Sequence, residues 1–595
     1  MVLLPDDARS APAMLTHHAM LVPWGLFAQR IGLVEGMQSV PVPQQTRDHT
    51  PQGKLLELFL ATLSGCTYLQ DISRGPAPLD QDLAVAQAWG QEGWADYSGV
   101  SRTLKACTPE TVTALETVVG DISRRFIDQE VMLALRQDGV LVYDGDLTGR
   151  PVSNTSRSYP GAAFGWMDDE VRLGYQAALV SLQSPTYGRL WLSVKQHPGD
   201  TVAMGQAQAM VLAAEAATGV RPRRRTELLE QRIAAQQVML QAAVGEQTRA
   251  QDRVAQARQQ LLQAEQELET WQQRVSSLQE ARQGQARPER PHSVLSQARR
   301  KVTLRQERLG RRQQALTKAQ HSLERSEQKV LTLQADLAVL EQRLAQFQED
   351  NRTNGSPIRA IFRLDAGFGS GANVALLIEM GYDVYTKAGN AQVVRAMRRR
   401  ATAASEWVKV GKNAAMITWA GSAVANCPYP LDVGLERFQA GSKEKHAVLL
   451  HYGSEPAAQT PVRWFDFYNG RQTIEAGVKE GKSVLQMHHF KVRSPAGLVI
   501  QELLTAFAAN FIRWAAEWFQ QSDSVPAPLA RAQASVKQSV RIVANTSAWV
   551  IWYRQGCLLR FTDYSPFAGM ELPVGATHAT QLPLPLFKSC VYGPI

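Results

Sequence analysis

Carboxylates interrupt or end three apolar segments of this 595-residue chain. Asp144 and Asp146 lie in the strand-like run "VLVYDGDLTG", Asp365 ends the run "AIFRLD", and Glu475 lies in the helical segment "FDFYNGRQTIEAGVKEGKSVLQ". Hard cations such as Mg²⁺ prefer carboxylate oxygens, and phosphodiester cleavage by two metal ions needs such ligands to converge from separate segments. Side chains two apart on a strand point the same way, so Asp144 and Asp146 are alternative first ligands.

The helical segment carries three further polar side chains on the face of Glu475. Tyr468, Arg471, Glu475 and Lys482 have the spacing i, i+3, i+7 and i+14, which on one continuous helix gives a stripe about 60° wide. A charged stripe usually faces solvent. A stripe that mixes one acid with Tyr, Arg and Lys also suits a metal ligand flanked by groups that hold phosphates.

Three alternating glycines follow Asp365 in "LDAGFGSG", namely Gly367, Gly369 and Gly371. The pattern resembles the cofactor loop of S-adenosylmethionine methyltransferases, and "NCPY" at 426–429 resembles the Asn-Pro-Pro-Tyr element of DNA adenine methyltransferases. Two departures weaken this alternative: Lys387 ends the next strand where an acid would hold the ribose, and Cys427 replaces a proline. Two other interpretations are open: Asp365 is a metal ligand and the glycines allow a tight exit from its strand, or the segment is an ordinary strand-to-helix turn.

Residues 222–351 interrupt the α/β pattern with a Gln-, Arg- and Leu-rich segment. Apolar residues recur at spacings of four and three on both sides of the breaker "GQARPERPHS". This periodicity predicts an antiparallel coiled-coil hairpin, and the basic residues near its turn suggest that the tip contacts DNA or a second protomer. They are Arg282, Arg287, Arg290, Arg299, Arg300 and Lys301.

The signature Tyr468-x2-Arg471-x3-Glu475-x6-Lys482 resembles that of the DDE transposases of the insertion-sequence-four superfamily, the bacterial cut-and-paste group. The segments "RLDAGFGSGANVALLIEMGYDVYTKA" and "YDGDLTG" resemble the second- and first-aspartate segments of that superfamily. Thr148 in the latter favours Asp146 over Asp144. The resemblance covers residues 138–520 apart from the coiled coil, which is not part of the family pattern.

The resemblance implies a ribonuclease H-like mixed-sheet α/β core with Asp146, Asp365 and Glu475 as catalytic ligands of two Mg²⁺ ions, for which Mn²⁺ can substitute. It also implies DNA contacts from Tyr468, Arg471, Lys482, Lys387, Trp407 and Trp419. Either tryptophan can instead belong to the core of a small β unit. The implied partners are double-stranded DNA with terminal inverted repeats, target DNA and a second copy of the chain on paired ends. An inactive or domesticated DNA-binding protein of the same fold is a further alternative.

The sequence suggests seven segments around this core. They are an N-terminal helical domain at 1–136, core parts at 137–221, 352–390 and 464–522, the hairpin at 222–351, a β-rich insertion at 391–463 and a C-terminal domain at 523–595. In the first segment, Thr108-Pro109-Glu110 begins the second helix of a pair. This pair suits DNA binding by a helix-turn-helix or ordinary helical packing.

Composition favours a polyanionic partner and a reducing compartment. Lys and Arg total 64 against 55 Asp and Glu, a net charge of +9. The five cysteines form no CxxC pair, and Asp6 and Asp7 stand where a secretory signal would be basic. The apolar run at 496–519 contains charged residues and predicts a buried helix. We therefore expect a cytoplasmic, nucleoid-associated bacterial protein without a membrane partner.

Overall fold

The computed structural model describes residues 12–284, 288, 290–520, 525–554 and 556–575. Asp6, Asp7, Arg287, Cys590 and part of the predicted hairpin turn lie outside the described residues. The chain divides into two compact units, one formed by the residues up to 223 and from 354 onward, the other by residues 224–353. The mixed α/β class predicted from the sequence is confirmed for the first unit.

A ten-stranded mixed sheet forms the centre of the first unit. Its strands are β2 (Leu141–Pro151), β3 (Ala163–Met167), β4 (Glu170–Ser184), β5 (Gly188–Pro198), β6 (Ala360–Leu364), β7 (Asp383–Lys387), β8 (Val408–Gly411), β9 (Ala414–Val424), β10 (Cys427–Ala440) and β11 (Lys443–Tyr452). The main path runs β4-β2-β6-β7-β11-β10-β9-β8, with β3 and β5 both paired to β4. Among the described strands, only the β2–β6 and β6–β7 pairs are parallel. The carboxyl ends of these three strands therefore lie at one edge of the sheet. Asp146 and Asp365 come directly after the last paired residues of β2 and β6, and Lys387 is the last residue of β7.

The β-rich segment expected as an insertion is part of this sheet and not a separate β unit. β11 pairs antiparallel with β7, from Leu449 opposite Lys387 to Tyr452 opposite Val384. β10, β9 and β8 then extend the sheet in antiparallel order. The reason is that the outer edge of β7 presents unpaired backbone groups, and β11 satisfies them.

Helices cover both faces of the sheet and fill the N-terminal part of the unit. They are α1 (Leu21–Arg30), α2 (Leu33–Gln38), α3 (Pro51–Leu63), α4 (Asp71–Arg74), α5 (Leu83–Ala88), α6 (Tyr97–Ala106), α7 (Pro109–Gln137), α8 (Ala207–Thr218), α11 (Gly371–Glu379), α12 (Ala391–Arg400), α13 (Pro461–Asn469), α14 (Gln472–Ser483), α15 (Pro495–Gln520), α16 (Ala527–Ala532) and α17 (Val536–Gln538). The numbers α9 and α10 belong to the second unit. A small sheet of β1 (Ala13–Thr16), β12 (Ala548–Tyr553), β13 (Gly556–Phe561) and β14 (Glu571–Gly575) joins the two ends of the described chain.

The apolar helix α15 is the element on which the N-terminal helices pack. Phe126 of α7 stacks on Trp514 with ring centroids 4.3 Å apart, and Phe59 of α3 meets Phe511 edge-on at 5.3 Å. Aromatic contacts of this kind add to the free energy gained by burying the rings. The N-terminal helices therefore share a core with the rest of the unit, and the α6–α7 pair has a packing role whether or not it contacts DNA.

The same helix has the length and mean hydropathy of a membrane-spanning segment, and within the described ranges it is the one helix that does. However, 72% of its most apolar window is buried by the rest of the chain. The prediction of a buried helix is confirmed.

The second unit consists of two long helices, α9 (Thr226–Glu280) and α10 (Val294–Thr353). The ion pairs Glu267–Arg308 and Glu246–Lys329, each 2.9 Å long, join them and require the helices to run antiparallel. Their buried residues recur at the spacing of the predicted seam, including Leu229, Ile233, Ala243, Ala250, Val254, Ala264 and Leu268. At their base, Arg224 forms a buried pair of 2.8 Å with Asp350.

This organisation predicts that the first unit folds without the hairpin. Replacing residues 226–347 by a short Gly/Ser linker should remove much of the helical circular dichroism but preserve one cooperative thermal transition. The reason is that Asn354 and Ile358 already bond to the carbonyl of Arg221, so the remaining chain ends lie close together. A non-cooperative melt of the shortened protein, beside a sharp melt of the full chain, would contradict this prediction.

Candidate catalytic site

Parallel pairing of β2 with β6 brings the first two predicted ligands together. The register aligns Asp144 with Arg363 and Gly145 with Leu364. One residue further along each strand are Asp146 and Asp365. Both are partly buried at the carboxyl edge of the sheet. Two acids 219 positions apart in the chain are therefore neighbours because of strand register alone.

Asp144 is already neutralised by a buried partner. Arg363 donates from Nε to Oδ1 at 2.6 Å and from Nη2 to Oδ2 at 2.8 Å, and both side chains are at most 3% exposed. Such a two-pronged pair uses the carboxylate's strongest acceptor directions. Of the two aspartates on this face of β2, Asp146 is therefore the one left to face the other carboxylates.

The predicted single helix around Glu475 is wrong: the structure has two helices, α13 and α14, joined at Gly470–Arg471. The cause lies in the sheet. Nη1 of Arg363 donates to the carbonyl of Phe467 at 2.8 Å, so the amide of Arg471 bonds instead to Tyr468, one residue closer. Gly470 fits because a Cβ there would lie 2.6 Å from that guanidinium. The 100° stripe geometry therefore does not apply across residues 468–475.

Arg471 nevertheless brings the three predicted catalytic acids into one electrostatic group. Its Nη2 donates to Oε1 of Glu475 at 2.7 Å, and its Nη1 lies 3.8 Å from Oδ1 of Asp146. The charge of Arg471 also acts on Asp365. Nη1 is buried and has no hydrogen-bond acceptor among the described residues. The site thus contains a guanidinium N–H directed at the carboxylates with no acceptor at hydrogen-bond distance.

Burial and the neighbouring carboxylates make Asp146 and Asp365 harder to ionise. The pKa of Asp146 is raised to about 7, chiefly by burial; Arg471 opposes this rise, and Asp365 and Glu475 add to it. Burial likewise raises the pKa of Asp365. For Arg471, burial lowers the pKa, but its anionic neighbours outweigh this and raise it overall. With all three acids ionised, the group therefore holds more negative charge than one arginine neutralises.

The donor atoms suit a hard divalent cation in kind, because all three acids offer oxygen. In the described part of the chain, however, no three Asp, Glu, His or Cys side chains lie close enough together to form a metal-binding group. Glu475 is 47% exposed, and its carboxylate pairs with Arg471. A bound cation would lower the raised pKa of Asp146, and a bound phosphate would give Nη1 of Arg471 a hydrogen-bond acceptor.

The remaining predicted residues surround this group at different distances. The hydroxyl of buried Tyr468 donates to the carbonyl of Leu364 at 3.2 Å, beside Asp365. Lys387 lies 5.4 Å from the Tyr468 ring and pairs with Glu436 at 3.2 Å. Lys482 lies 3.9 Å from Asp168, at the β3–β4 turn.

Trp407 and Trp419 are half-buried surface residues and not core residues of a small β unit. The guanidinium of Arg437 lies 4.2 Å from the Trp407 ring, and that of Arg400 lies 4.9 Å from the Trp419 ring. Each tryptophan is therefore held by an arginine on the sheet surface.

A cleft of about 880 Å³ opens beside Asp365. Its walls include the glycine loop after β6, the β3–β4 turn, Asn390 at the start of α12 and Asn426 in the β9–β10 turn. Gly369 and Gly371 each pack so closely on neighbouring backbone that a Cβ would collide, with the carbonyls of Lys387 and Ala425 respectively. Close packing against these backbones explains why both positions are glycine.

Several residues that support the site were not predicted. On the far side of α14, Arg189 pairs with Glu480 at 3.5 Å, and Arg513 reaches the same carboxylate at 2.8 Å. Gly477 leaves room for the Arg189 guanidinium. Arg363 did give a sequence signal, since a charge inside the buried run "AIFRL" requires a buried partner. Arg189 and Glu480 gave none.

A scan against models of known protein families matches none of them with this chain, and a search among curated proteins also finds no match.

The Asp144–Arg363 pair yields the first prediction for this site. Arg363→Met should destabilise the protein by about 3–5 kcal/mol, because it leaves a buried carboxylate without its partner. The double variant Asp144→Leu/Arg363→Met should recover much of that loss. Urea unfolding measures both. Arg352→Ala, which breaks the exposed pair with Glu349, is the control and should leave unfolding nearly unchanged. A single and a double variant of equal stability would contradict the buried-pair account.

The second prediction concerns pH. Because the folded-state pKa of Asp146 is raised to about 7, the folded chain keeps a proton that the unfolded chain loses near pH 4. Folding stability from this group is therefore lost as pH rises toward 7. Asp146→Asn lacks this loss, so its advantage over wild type should grow by about 1.4 kcal/mol per pH unit between pH 5 and 7.

Thermal unfolding at several pH values measures this advantage, with the exposed Asp466→Asn as the matched control that should follow wild type. Parallel curves for wild type and Asp146→Asn would mean that Asp146 ionises freely in the folded protein.

Proposed function

We propose that the protein is a DNA transposase of the DDE type, which hydrolyses and rejoins phosphodiesters at the inverted-repeat ends of a mobile element. One observation supports this most: Asp146, Asp365 and Glu475, predicted from three separate segments, surround one arginine of the four-residue signature. Because they come from β2, β6 and α14, their proximity depends on the tertiary fold and is not a consequence of sequence spacing.

The strand order also supports a ribonuclease H-like core, the finer fold class implied by the resemblance. Within the larger sheet, β5-β4-β2-β6-β7 has the order of such a core, with β4 antiparallel to both neighbours and β2, β6 and β7 parallel. The catalytic acids of such a core belong on its central strands and on a helix packed beside them. The expected positions match those of Asp146, Asp365 and Glu475.

Two Mg²⁺ ions, or Mn²⁺ in their place, would be held by Asp146, Asp365 and Glu475, and would supply charge stabilisation and an activated water or hydroxyl at the phosphorus. Glu475 is the ligand that has to move, because it is the exposed member of the group and now pairs with Arg471. If Glu475 left its pair with Arg471, the Arg471 guanidinium could donate hydrogen bonds to a phosphate oxygen instead.

The chain's own residues have separate roles in this proposal. Arg471 holds a phosphate through the N–H groups of a planar fork, a geometry that suits a bound phosphate better than an ammonium does. Tyr468 fixes the carbonyl end of β6 and so the position of Asp365. Arg363 fixes α13 against the sheet through Phe467 and neutralises Asp144, which keeps that acid out of the reacting group.

A methyltransferase is the second candidate, and one observation favours it: the glycine loop and Asn426 line the same cleft. Against it, Lys387 pairs with Glu436 where a ribose-binding acid would be required, and only three strands of the sheet are parallel. Stabilisation of the protein by S-adenosylmethionine, and not by Mg²⁺ with DNA, would support this candidate.

The hairpin of α9 and α10 fits the proposal as a coiled coil that contacts DNA or a second protomer when two ends are paired. An inactive descendant that only binds DNA would keep the fold and the basic charge. Cleavage of DNA distinguishes it from the enzyme. The bacterial cytoplasm, with its nucleoid, is the compartment that this function requires.

The third prediction tests the acids. Asp146→Asn, Asp365→Asn and Glu475→Gln should each reduce Mg²⁺-dependent cleavage of a plasmid carrying the DNA that flanks the gene by at least 100-fold. Each removes a ligand carboxylate while preserving side-chain volume. Asp466→Asn, an exposed change on α13, is the control and should cleave normally.

DNA affinity of the three variants, measured by fluorescence anisotropy, should stay close to that of wild type. Near-normal cleavage by Asp365→Asn would overturn the catalytic assignment. Absence of cleavage by wild type, with DNA binding intact, would favour the inactive descendant.

A further inference from the structure

Helix α12 has four arginines and no acid in ten residues. Arg395, Arg398 and Arg399 are exposed, and at i, i+3 and i+4 they share one face of the helix. Among the described residues, none of the three pairs with a carboxylate. Retaining three adjacent unneutralised charges is unfavourable for the free protein, and so indicates a polyanionic partner.

The position of α12 connects this charge to the catalytic edge. The helix follows β7 directly, and Asn390 and Ala391 at its start line the cleft that also contains Asp365. Arg395 lies at the middle of the helix and the other three arginines lie at its end, so the positive charge begins within one or two turns of that cleft. The segment 387–412 contains seven Lys or Arg and one acid. The cleft therefore opens onto a basic surface at this side.

The sheet beneath the arginine end of α12 continues the same surface. Arg400 donates to Oγ of Ser422 at 2.9 Å and stacks on Trp419. Arg437 of β10 stacks on Trp407, and the ring of His446 lies 6.5 Å from that tryptophan. Burial and nearby Arg398 lower the pKa of His446, which shows that Arg398 lies close to this pair. Arg395, Arg398, Arg399, Arg400 and Arg437 with the two tryptophans are called the α12 surface below.

We propose that the α12 surface binds the phosphate backbone of duplex DNA that passes beyond the catalytic edge. Arg395, Arg398 and Arg399 contact phosphates, while Arg400 and Arg437 are positioning residues that fix the tryptophans. The ten-residue helix is about 15 Å long, which spans about four phosphates of one strand. Which DNA the surface binds rests on the proposed function. That the surface binds duplex DNA does not depend on it.

Duplex DNA fits better than an anionic membrane. A membrane-binding helix presents large apolar side chains beside its basic ones. The apolar residues of α12, Val393, Val394 and Met397, are half-buried, and none is an exposed large hydrophobic residue. Beside the arginines, the exposed residues of α12 are Ala391, Gln392 and Ala396, so the helix is cationic without a large exposed apolar side chain.

The test uses the full chain and a 30-base-pair duplex of arbitrary sequence, with affinity measured by anisotropy between about 50 and 200 mM salt. The triple variant Arg395→Gln/Arg398→Gln/Arg399→Gln should bind more weakly, and its log–log salt slope should be shallower by about 2.7, or 0.9 for each lost phosphate contact. The matched control is Arg531→Gln/Lys537→Gln/Arg541→Gln, which removes the same charge from exposed positions elsewhere. Its slope should change by less than half as much.

Two outcomes would overturn the proposal: equal slope changes in both triple variants, or an unchanged slope in the α12 variant. Loss of binding to vesicles of anionic phospholipid, with the DNA slope unchanged, would assign the surface to a membrane instead. The α12 variant should melt within a few degrees of wild type. If wild type binds the duplex but never cleaves DNA, the absence of cleavage refutes the proposed enzyme activity. A shallower salt slope in the α12 variant would still support DNA binding by the α12 surface.

Discussion

The repulsion among carboxylates at the edge of the β2–β6 pair is the constraint on which this structure depends. Register makes Asp146 and Asp365 neighbours, and α14 adds Glu475 to the same group. Burial increases the free energy of such a cluster, and the charge of Arg471 opposes this for both Asp146 and Asp365. The chain thus keeps an unfavourable arrangement that a solely structural role would not require, as sites that bind cations and phosphates commonly do.

Arg363 links that edge to the helix that completes it. Its guanidinium pairs with Asp144 and lies 5.1 Å from the Phe467 ring. It also donates to the carbonyl of Phe467, to which the amide of Arg471 would bond in a continuous α-helix. The resulting change from α13 to α14 orients Arg471 and Glu475 toward β2 and β6. A single arginine therefore decides which aspartate of β2 faces the site and how the signature helix approaches it.

The sequence predicted which acids lie together at the candidate site, because acids at the ends of apolar runs mark where strands meet at one edge. It also predicted the two long helices of residues 222–351, the buried α15 and the strands that carry or precede Asp146, Asp365 and Lys387, because their periodicity is local. It did not predict the break at Gly470, because that depends on a side chain 107 residues earlier. The pairing of β7 with β11, which joins the β-rich segment to the main sheet, was not predicted either, because it connects strands that are far apart in the sequence. The surface position of Trp407 and Trp419 follows from it.

The central claim is that Asp146, Asp365 and Glu475 together form a divalent-cation site. Titration of Mn²⁺ into the protein, followed by the loss of the free-ion electron paramagnetic resonance signal, tests it without requiring DNA or activity. Wild type should bind Mn²⁺ more tightly as pH rises through 7, where Asp146 loses its proton, and each of the three isosteric variants should bind it at least tenfold more weakly. Equal Mn²⁺ binding by wild type and Asp146→Asn across this pH range would contradict the account.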